Sequence, residues 1–444
     1  MLEIRGESDR FCSGFSRRRF IQIGGLSAFG LSLTDLLRIE AAQGSKKTRR
    51  SVILIWQHGG PSQLDTFDMK PDASAEVRGP YESIETSLPG LRIGELMPHH
   101  AKIMHHCTVF RGFTHNNGDH WAAAHWMLTG RLGATGSDRV PRNASLGAVS
   151  SYMLGPRRPG VPANVNINDG GFGFHGAAHL GVNHNPFRMG EFSYGNEAGR
   201  LPTSSDKSFT LVDGLSQDRL VNRLSLLQQF DRLRRDVDSS GVFDSMDDMS
   251  RQAEEMILSG RARRAFDLSL EDAKTKERYG KGWGEQALLA RRLVEAGVRF
   301  VSLNTGYWDN HSNIKRALDE KLPRHDQAVG VLIDDLAERG MLDDVLVVTA
   351  GEFGRTPRMN KNAGRDHWPQ AQSILVAGGG FRHGQVVGAT NSKAEHPIDR
   401  AIGVLDFCAI IYHALGMRPG DSIPDLSGRP VHLLPGGEVP RELL

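Results

Sequence analysis

Short apolar runs separated by helix-type patterns constrain the fold of this chain more than any other feature of its sequence. The first run, Ser51–Trp56, is continuously apolar after its serine and leads into Gly59-Gly60-Pro61. Later runs of the same kind cover 108–110, 299–303, 345–349 and 373–376. A strand that is apolar on both sides must be buried on both faces, as in a parallel sheet covered by helices. We therefore predict an α/β fold built as a three-layer α/β/α sandwich around a large, mostly parallel sheet.

Helix-type spacing of apolar residues recurs between these runs. Four apolar residues of one such pattern share a helix face, which ends at Gly340: Val329, Leu332, Ile333 and Leu336. Similar patterns predict helices over 121–128 and 400–415, and a charged helical layer over 213–296. Residues 160–205 are rich in Gly, Asn, His and Pro and predict a long loop, of the kind that forms lids or binding loops. We interpret residues 44–444 as a single domain.

The first 43 residues have the pattern of an export signal. Ser16-Arg-Arg-Arg-Phe-Ile21 precedes a short Gly-rich apolar stretch and then small residues at Ala41-Ala42. The paired Arg17 and Arg18 predict the twin-arginine type, so the translocon of that pathway is an expected partner and the periplasm or extracellular space the expected location. The alternative is a basic amphipathic helix that stays part of the fold. The apolar stretch is too short for a stable transmembrane segment, which needs about 20 residues.

The overall charge excludes one class of partner. The 444 residues carry a formal net charge of +2, with 39% hydrophobic and 24% charged residues. This is the composition of an ordinary globular protein, and it lacks the basic excess that nucleic-acid binding requires. No nucleic-acid partner is expected.

Polar residues follow several of the predicted strands. In open α/β sheets, ligands bind beyond the carboxyl ends of the strands, so side chains that follow different strands can meet there. Five segments carry candidate site residues of this kind: His58 to Asp65, His115 to His120, Trp308 to His311, Gly351 to Arg355 and Arg365 to Trp368. We therefore predict one polar site, which binds a divalent metal ion.

Asp309, His311, Asp366 and His367 are the leading candidate ligands. A carboxylate with an imidazole suits Zn²⁺, Mn²⁺ or Fe²⁺ better than Ca²⁺. Residues two apart in extended backbone point the same way, which lets Asp309 and His311 approach one ion. The alternatives are a helix cap for Asp309 and a loop ion pair for Asp366 and His367.

The other segments supply weaker candidates. Glu352 could bind the metal, as could His58 or Asp65, while Arg355 could hold an anionic group in its planar fork. A surface salt bridge is the alternative interpretation of Glu352 and Arg355. A further group, His99, His100, His105 and His106, has no acid nearby in the sequence and is interpreted as surface histidines.

These motifs resemble a known family. His58-x-Gly-Pro-Ser-Gln-Leu-Asp, Trp-Asp-Asn-His311, Glu-Phe-Gly-Arg-Thr-Pro357 and Gly-Arg-Asp-His-Trp-Pro369 are similar to motifs of the domain of unknown function 1501. That family is similar in fold to sulfatases and alkaline phosphatases, which use two metals or one calcium at the carboxyl edge of a large parallel sheet. The resemblance implies an exported protein of hydrolase ancestry, and it keeps Ca²⁺ among the candidate ions beside Zn²⁺ and Mn²⁺.

The chain departs from those enzymes at the nucleophile. Counting back from Thr129-Gly130-Arg131 reaches His120, where a sulfatase has the Cys or Ser that attacks the ester. Our leading hypothesis is hydrolysis of a small-molecule or glycan sulfate or phosphate ester, with His120 as general acid/base or a further ligand. Ser62 is the rival nucleophile. The alternative hypothesis is a non-catalytic protein that binds an anionic glycan or a protein partner on the same scaffold.

Overall fold

The computed structural model describes residues 50–133, 135, 142–168, 175–189 and 242–444. Arg49–Leu444 forms one compact unit. The predicted export signal, residues 1–43, lies outside the described part, as does 213–241 of the predicted helical layer.

One eight-stranded sheet forms the centre of the fold. Its strands are β1 (Ser51–Trp56), β2 (Cys107–Phe113), β3 (Asn164–Ile167), β4 (Phe187–Met189), β5 (Phe300–Asn304), β6 (Val345–Ala350), β7 (Gln372–Gly378) and β8 (Gln385–Val387). Their spatial order is β8-β2-β7-β6-β1-β5-β3-β4. Strand β7 runs antiparallel to both of its neighbours, and every other pair in this sheet is parallel.

Helices cover both faces of the sheet. The helices of the described residues are α1 (Ala75–Arg78), α2 (Pro98–Ile103), α3 (His120–Thr129), α4 (Leu146–Leu154), α5 (Val242–Ser259), α6 (Arg261–Phe266), α7 (Ala273–Tyr279), α8 (Trp283–Ala296), α9 (Ile314–Glu338) and α10 (Val404–Ala414). Ile53 and Ile55 of β1 pack with α2, α8 and α9, whereas Val52 and Leu54 pack with α3, α4 and α10. Because successive strand residues point to opposite faces, β1 contributes to two separate cores. The predicted three-layer α/β/α fold is confirmed.

Small elements complete the described chain. Four two-stranded sheets pair Ser83–Glu85 with Arg92–Gly94, Gly354–Arg355 with His367–Trp368, Ala389–Thr390 with Pro397–Asp399, and Ser422–Pro424 with Pro430–His432. Short 3-10 helices cover Met104–His106, Ala178–Leu180, Val182–His184, Leu268–Leu270, Leu342–Asp344 and Arg441–Leu443. None of the helices in the described ranges is both long enough and apolar enough to cross a bilayer.

The stretch predicted as a loop over 160–205 instead contains two strands of the main sheet, β3 and β4. Polar asparagines interrupt the apolar pattern of β3 and hide the strand in the sequence. The side chain of Asn166 is buried, and its amide donates to the hydroxyl of Ser302 on β5 at 2.8 Å. A buried amide is tolerated in a strand when such a partner satisfies it.

The interpretation of His100 as a surface histidine is wrong, because the structure buries this residue. Its Nδ1 lies 2.7 Å from the carboxylate of Asp326 on α9, and the same carboxylate accepts the backbone N–H of His99 and His100 at 2.8 Å each. The partner acid is more than 200 residues away along the chain, so local sequence gave no sign of it.

The central strands end level with one another, and this places the candidate site. Trp56 of β1 pairs with Asn304 of β5 on one side and with Ala350 of β6 on the other. The loops that follow these strands therefore leave the sheet at the same edge. They carry the segments that begin at His58, Thr305 and Gly351.

Candidate metal centre

The start of α3 brings a histidine to this edge. Asp119 caps the helix, because its side chain accepts the backbone N–H of Ala122 at 2.9 Å. This cap satisfies one of the free donors of the first turn. His120 is consequently the first residue of the helix, and its ring lies close to the loops that follow β5 and β6.

Asp309 is the centre of the site. Oδ1 of Asp309 lies 2.8 Å from Nε2 of His311 and 3.1 Å from Nε2 of His367. Oδ2 of Asp309 lies 3.3 Å from Nε2 of His120. The hydroxyl of Tyr307 donates to Oδ2 at 2.8 Å. Three imidazoles from three separate segments therefore converge on one carboxylate.

The other ring nitrogen of each imidazole has a partner outside this centre. Nδ1 of His120 lies 2.6 Å from Oε1 of Glu352, and Nδ1 of His311 lies 2.6 Å from Oδ1 of Asp366. Nδ1 of His367 lies 2.8 Å from the carbonyl oxygen of Gly118. Acceptors at all three Nδ1 atoms can hold a hydrogen there, so each Nε2 is the atom that bonds to Asp309 when it is protonated and that offers a lone pair to a cation when it is not.

The charges of the site shift its pKa values strongly. Burial by itself would lower the pKa of His120, but hydrogen bonds and charges from Asp309 and Glu352 raise it from 6.5 to about 9. Burial by itself would raise the pKa of Asp309, but hydrogen bonds from His120 and His367 and the charge of Arg355 lower it well below its ordinary value. A hydrogen bond from His311 lowers the pKa of Asp366. Asp309 is thus ionised at every physiological pH.

The donor set fits a divalent transition metal. One ligand atom each of His120, Asp309 and His367 lies within 4.8 Å of the others, and they form the one such acid–imidazole group in the part of the chain described here. Two imidazoles and a carboxylate suit Zn²⁺, Mn²⁺ or Fe²⁺. Ca²⁺ prefers an all-oxygen shell of six to eight ligands, which these residues do not supply.

Arg355 was predicted to hold an anionic group, which needs an accessible guanidinium, but the structure buries this side chain. Its guanidinium donates to the carbonyl oxygens of Gly60 at 2.9 Å and Arg365 at 3.2 Å, to that of Gly59, and to Oδ1 of Asp309 at 2.6 Å. The side chain is only 1% exposed. Buried and bonded in this way, Arg355 ties the loop after β1 to Asp309 and has no exposed face for a substrate anion.

Glu352 and His58 are both neighbours of the His120 ring. The carboxylate of Glu352 is buried, and its Oε1 accepts the backbone N–H of Gly59 at 2.8 Å as well as bonding to His120. A side chain at Gly59 would collide with the backbone of Trp308 and Asp309, and its φ of +99° also favours glycine. The ring of His58 stacks parallel to that of His120, with 6.4 Å between centroids. Glu352 thus holds His120 directly, and His58 lies beside it.

Ser62 and Asp65 form a separate buried pair. The hydroxyl of Ser62 donates to Oδ2 of Asp65 at 2.5 Å, and Nε of Arg365 donates to the same oxygen at 2.9 Å. All three side chains are buried. The structure does not bring Ser62 or Asp65 into the group around Asp309; they join the loop after β1 to the 355–365 loop.

Two residues that the sequence analysis missed hold the Asp309 loop in place. Tyr307 donates to Asp309, and the buried ammonium of Lys321 on α9 donates to the carbonyl oxygen of Tyr307 and, at 3.3 Å, to the side chain of Asn310. Lys321 lies next to Leu322 on the buried face of α9. A lysine on an apolar helix face was the signal in the sequence, since buried lysines need partners.

Fold and site together define the class: an α/β/α protein with a His–Asp cluster at the carboxyl edge of a mostly parallel sheet. The chain belongs to the family described as Protein of unknown function (DUF1501), whose model matches residues 49–444. The family predicted from the motifs is therefore confirmed. None of the curated proteins matches the chain.

Several solved structures are similar to the chain. Ps i-CgsB is 11% identical over 83% of this chain and 72% of its own, with a TM-score of 0.41. The PsFucS1 sulfatase from Pseudoalteromonas sp. is 13% identical over 87% and 70%, with a TM-score of 0.39. A protein in the alkaline phosphatase superfamily from Vibrio parahaemolyticus is 12% identical over 84% and 68%, with a TM-score of 0.36. These similarities concern the fold.

Proposed function

We propose that the chain is an exported, metal-dependent hydrolase of a sulfate or phosphate ester. The observation that supports this best is the convergence of three Nε2 atoms on Asp309 while each Nδ1 has another acceptor. Ring nitrogens gathered around one carboxylate can bind a cation that displaces their protons, and the outer acceptors are the partners that metal-binding histidines ordinarily have. The choice of a sulfate or phosphate ester comes from the resemblance of the motifs to the domain of unknown function 1501, a family similar in fold to sulfatases and alkaline phosphatases.

In this proposal His120, Asp309 and His367 hold the ion. A divalent cation there would supply Lewis-acid stabilisation of the charge that develops on the ester. Glu352 orients His120, and Arg355 orients Asp309 through the 2.6 Å contact to Oδ1. The protein thereby presents preorganised charge at the place of reaction.

His311 and Asp366 then act as the proton-transferring pair. His311 was a predicted ligand, and its Nε2 lies 2.8 Å from Oδ1 of Asp309 and 3.1 Å from Nε2 of His367, but its side chain is 45% exposed, which suits exchange of protons with a bound water. Asp366 is 52% exposed and bonds to Nδ1 of His311 at 2.6 Å. Nε2 of His311 can take a proton from the attacking water and return it to the leaving oxygen, a role that contributes roughly 10²–10⁴-fold to the rate.

In this proposal His120 binds the ion and does not transfer a proton. Its side chain is 19% exposed, and it lies between Glu352 and Asp309. An imidazole held on both sides is a better ligand than a nucleophile, so the proposal includes no covalent ester on the protein. Mass spectrometry of quenched turnover is expected to show unmodified chain, and an adduct on Ser62 or His120 would contradict this mechanism.

The test combines metal content with turnover. Protein purified from its exported form is analysed for bound metal, and hydrolysis of 4-nitrophenyl sulfate and 4-nitrophenyl phosphate is measured. His367→Ala should lose both metal and turnover, whereas His311→Ala should keep the metal and lose about 100-fold in turnover. The exposed His432, whose Nδ1 bonds to the carbonyl oxygen of Gly420, offers a matched control, His432→Ala.

Two outcomes would decide against parts of this proposal. Loss of metal in His311→Ala would make His311 a ligand and remove its role in proton transfer. Stoichiometric metal without turnover on either ester would favour the alternative, a binding protein for an anionic glycan or a protein partner.

A further inference from the structure

A cleft of about 350 Å³ lies directly beside the candidate centre. Asp366 lines it and also bonds to Nδ1 of His311 at 2.6 Å. Asn360 is shared in the same way, because its side-chain amide donates to Asp366 at 3.1 Å and to the carbonyl oxygen of His311 at 3.0 Å. The cleft and the centre therefore have a common wall. A molecule bound in the cleft would lie next to His311.

Part of the lining of the cleft is apolar. Trp368 lines it together with Val77, Pro357 and Met359. The indole N–H of Trp368 donates to the carbonyl oxygen of Glu395 at 2.7 Å, which holds the ring in one orientation. His367 and Trp368 are neighbours on a two-residue strand, and such neighbours point to opposite sides. One strand thus supplies an imidazole to the centre and an aromatic ring to the cleft.

The polar part of the lining carries charges of both signs. It contains Arg358 and Lys393 together with three acidic residues, Glu76, Asp366 and Glu395. Arg358 and Glu76 already pair at 2.8 Å, so little net positive charge is available. A polysulfated segment would meet three carboxylates here. Hydroxyl groups, which both donate and accept, match such a mixed lining.

We propose that this cleft binds a neutral sugar unit, so that the ester hydrolysed at the centre is carried on the adjoining sugar of a glycan. The apolar C–H face of the sugar would pack on Trp368, and its hydroxyls would bond to the charged side chains of the lining. The volume lies within the ordinary range of small-molecule sites. The statement about the substrate rests on the proposed function, whereas sugar binding itself needs no metal.

Saturation-transfer NMR with metal-free protein tests the cleft directly. Cellobiose, lactose, maltose and chitobiose serve as the probes. At least one disaccharide should bind, and Trp368→Ala should weaken that binding about tenfold, the loss expected for a ring worth about 1.4 kcal/mol. Trp368→Phe should retain most of the affinity. Lys393→Ala should weaken binding, whereas Lys274→Ala, which changes an exposed lysine on α7, should not.

Sugar binding in the cleft and ester hydrolysis at the centre are tested separately. Absence of binding for all four disaccharides, or equal binding to Trp368→Ala, would overturn the sugar site even if the 4-nitrophenyl esters are hydrolysed. Trp368-dependent sugar binding without any ester turnover would uphold the cleft and refute the hydrolase.

Discussion

The pKa of His120 gives the sharpest prediction for the metal-free protein. In the folded chain that pKa is about 9, against an ordinary value of 6.5 in the unfolded chain. These values differ by about 2.5, and each pKa unit corresponds to about 1.4 kcal/mol, which gives about 3 kcal/mol of unfolding free energy. Because the folded pKa is the higher one, this contribution is complete below pH 6.5 and is lost as the pH rises through 9.

The assay is urea unfolding in EDTA at pH 6 and pH 9, for the parent and for His120→Asn. The variant lacks the titrating ring, so its stability relative to the parent isolates the contribution of His120 from all other groups. The stability advantage of the parent should shrink by about 3 kcal/mol between the two pH values. Added Zn²⁺ should flatten this dependence, since a ligand nitrogen cannot also carry the proton.

One result would refute the reasoning. If the difference between parent and variant stays constant within about 0.5 kcal/mol, His120 does not hold a proton between Asp309 and Glu352 in the way the distances indicate. A difference that grows with pH would also contradict it, because the folded pKa would then lie below 6.5.

Two further predictions follow from particular contacts and a third from the paired arginines of the sequence. Glu352→Gln keeps the shape of the side chain but removes the charge that orients His120, and should weaken Zn²⁺ binding about 10–100-fold in a competition titration with a chelator. Lys321→Met leaves the acceptors beside Asp309 unpaired and should cost about 1–3 kcal/mol in urea unfolding; an unchanged midpoint would show that Lys321 does not stabilise that loop. Arg17→Lys combined with Arg18→Lys should keep the precursor in the cytoplasm, as measured by cell fractionation, and normal export would exclude the twin-arginine pathway.

The sequence by itself determined most of the architecture. Ser51–Trp56 and the runs at 299–303 and 345–349 became the adjacent central strands β1, β5 and β6. Burial on both faces demands continuous apolar sequence, so these strands were visible without tertiary information. Strand β3 was missed because Asn164 and Asn166 interrupt its apolar pattern, and the partner that satisfies Asn166, Ser302, lies on another strand.

The sequence also indicated most residues of the candidate centre but not their arrangement. Asp309, His311 and His367 were chosen because polar residues that follow parallel strands gather at one edge. Only the folded chain shows that Asp65 pairs with Arg365 instead of joining them, and that Arg355 is buried against the loop after β1.

The remaining features of the site are the contacts between its charged residues and its imidazoles, and these contacts depend on distance in space. A carboxylate or guanidinium acts on a site only within a few ångströms, and the partners concerned lie far apart in the chain: Glu352 is 232 residues from His120, and Asp326 is 226 residues from His100. Apolar periodicity is a local property that each segment displays by itself. The choice of which charge meets which imidazole is made by the packing of the whole sheet and its loops, so only the tertiary structure could decide it.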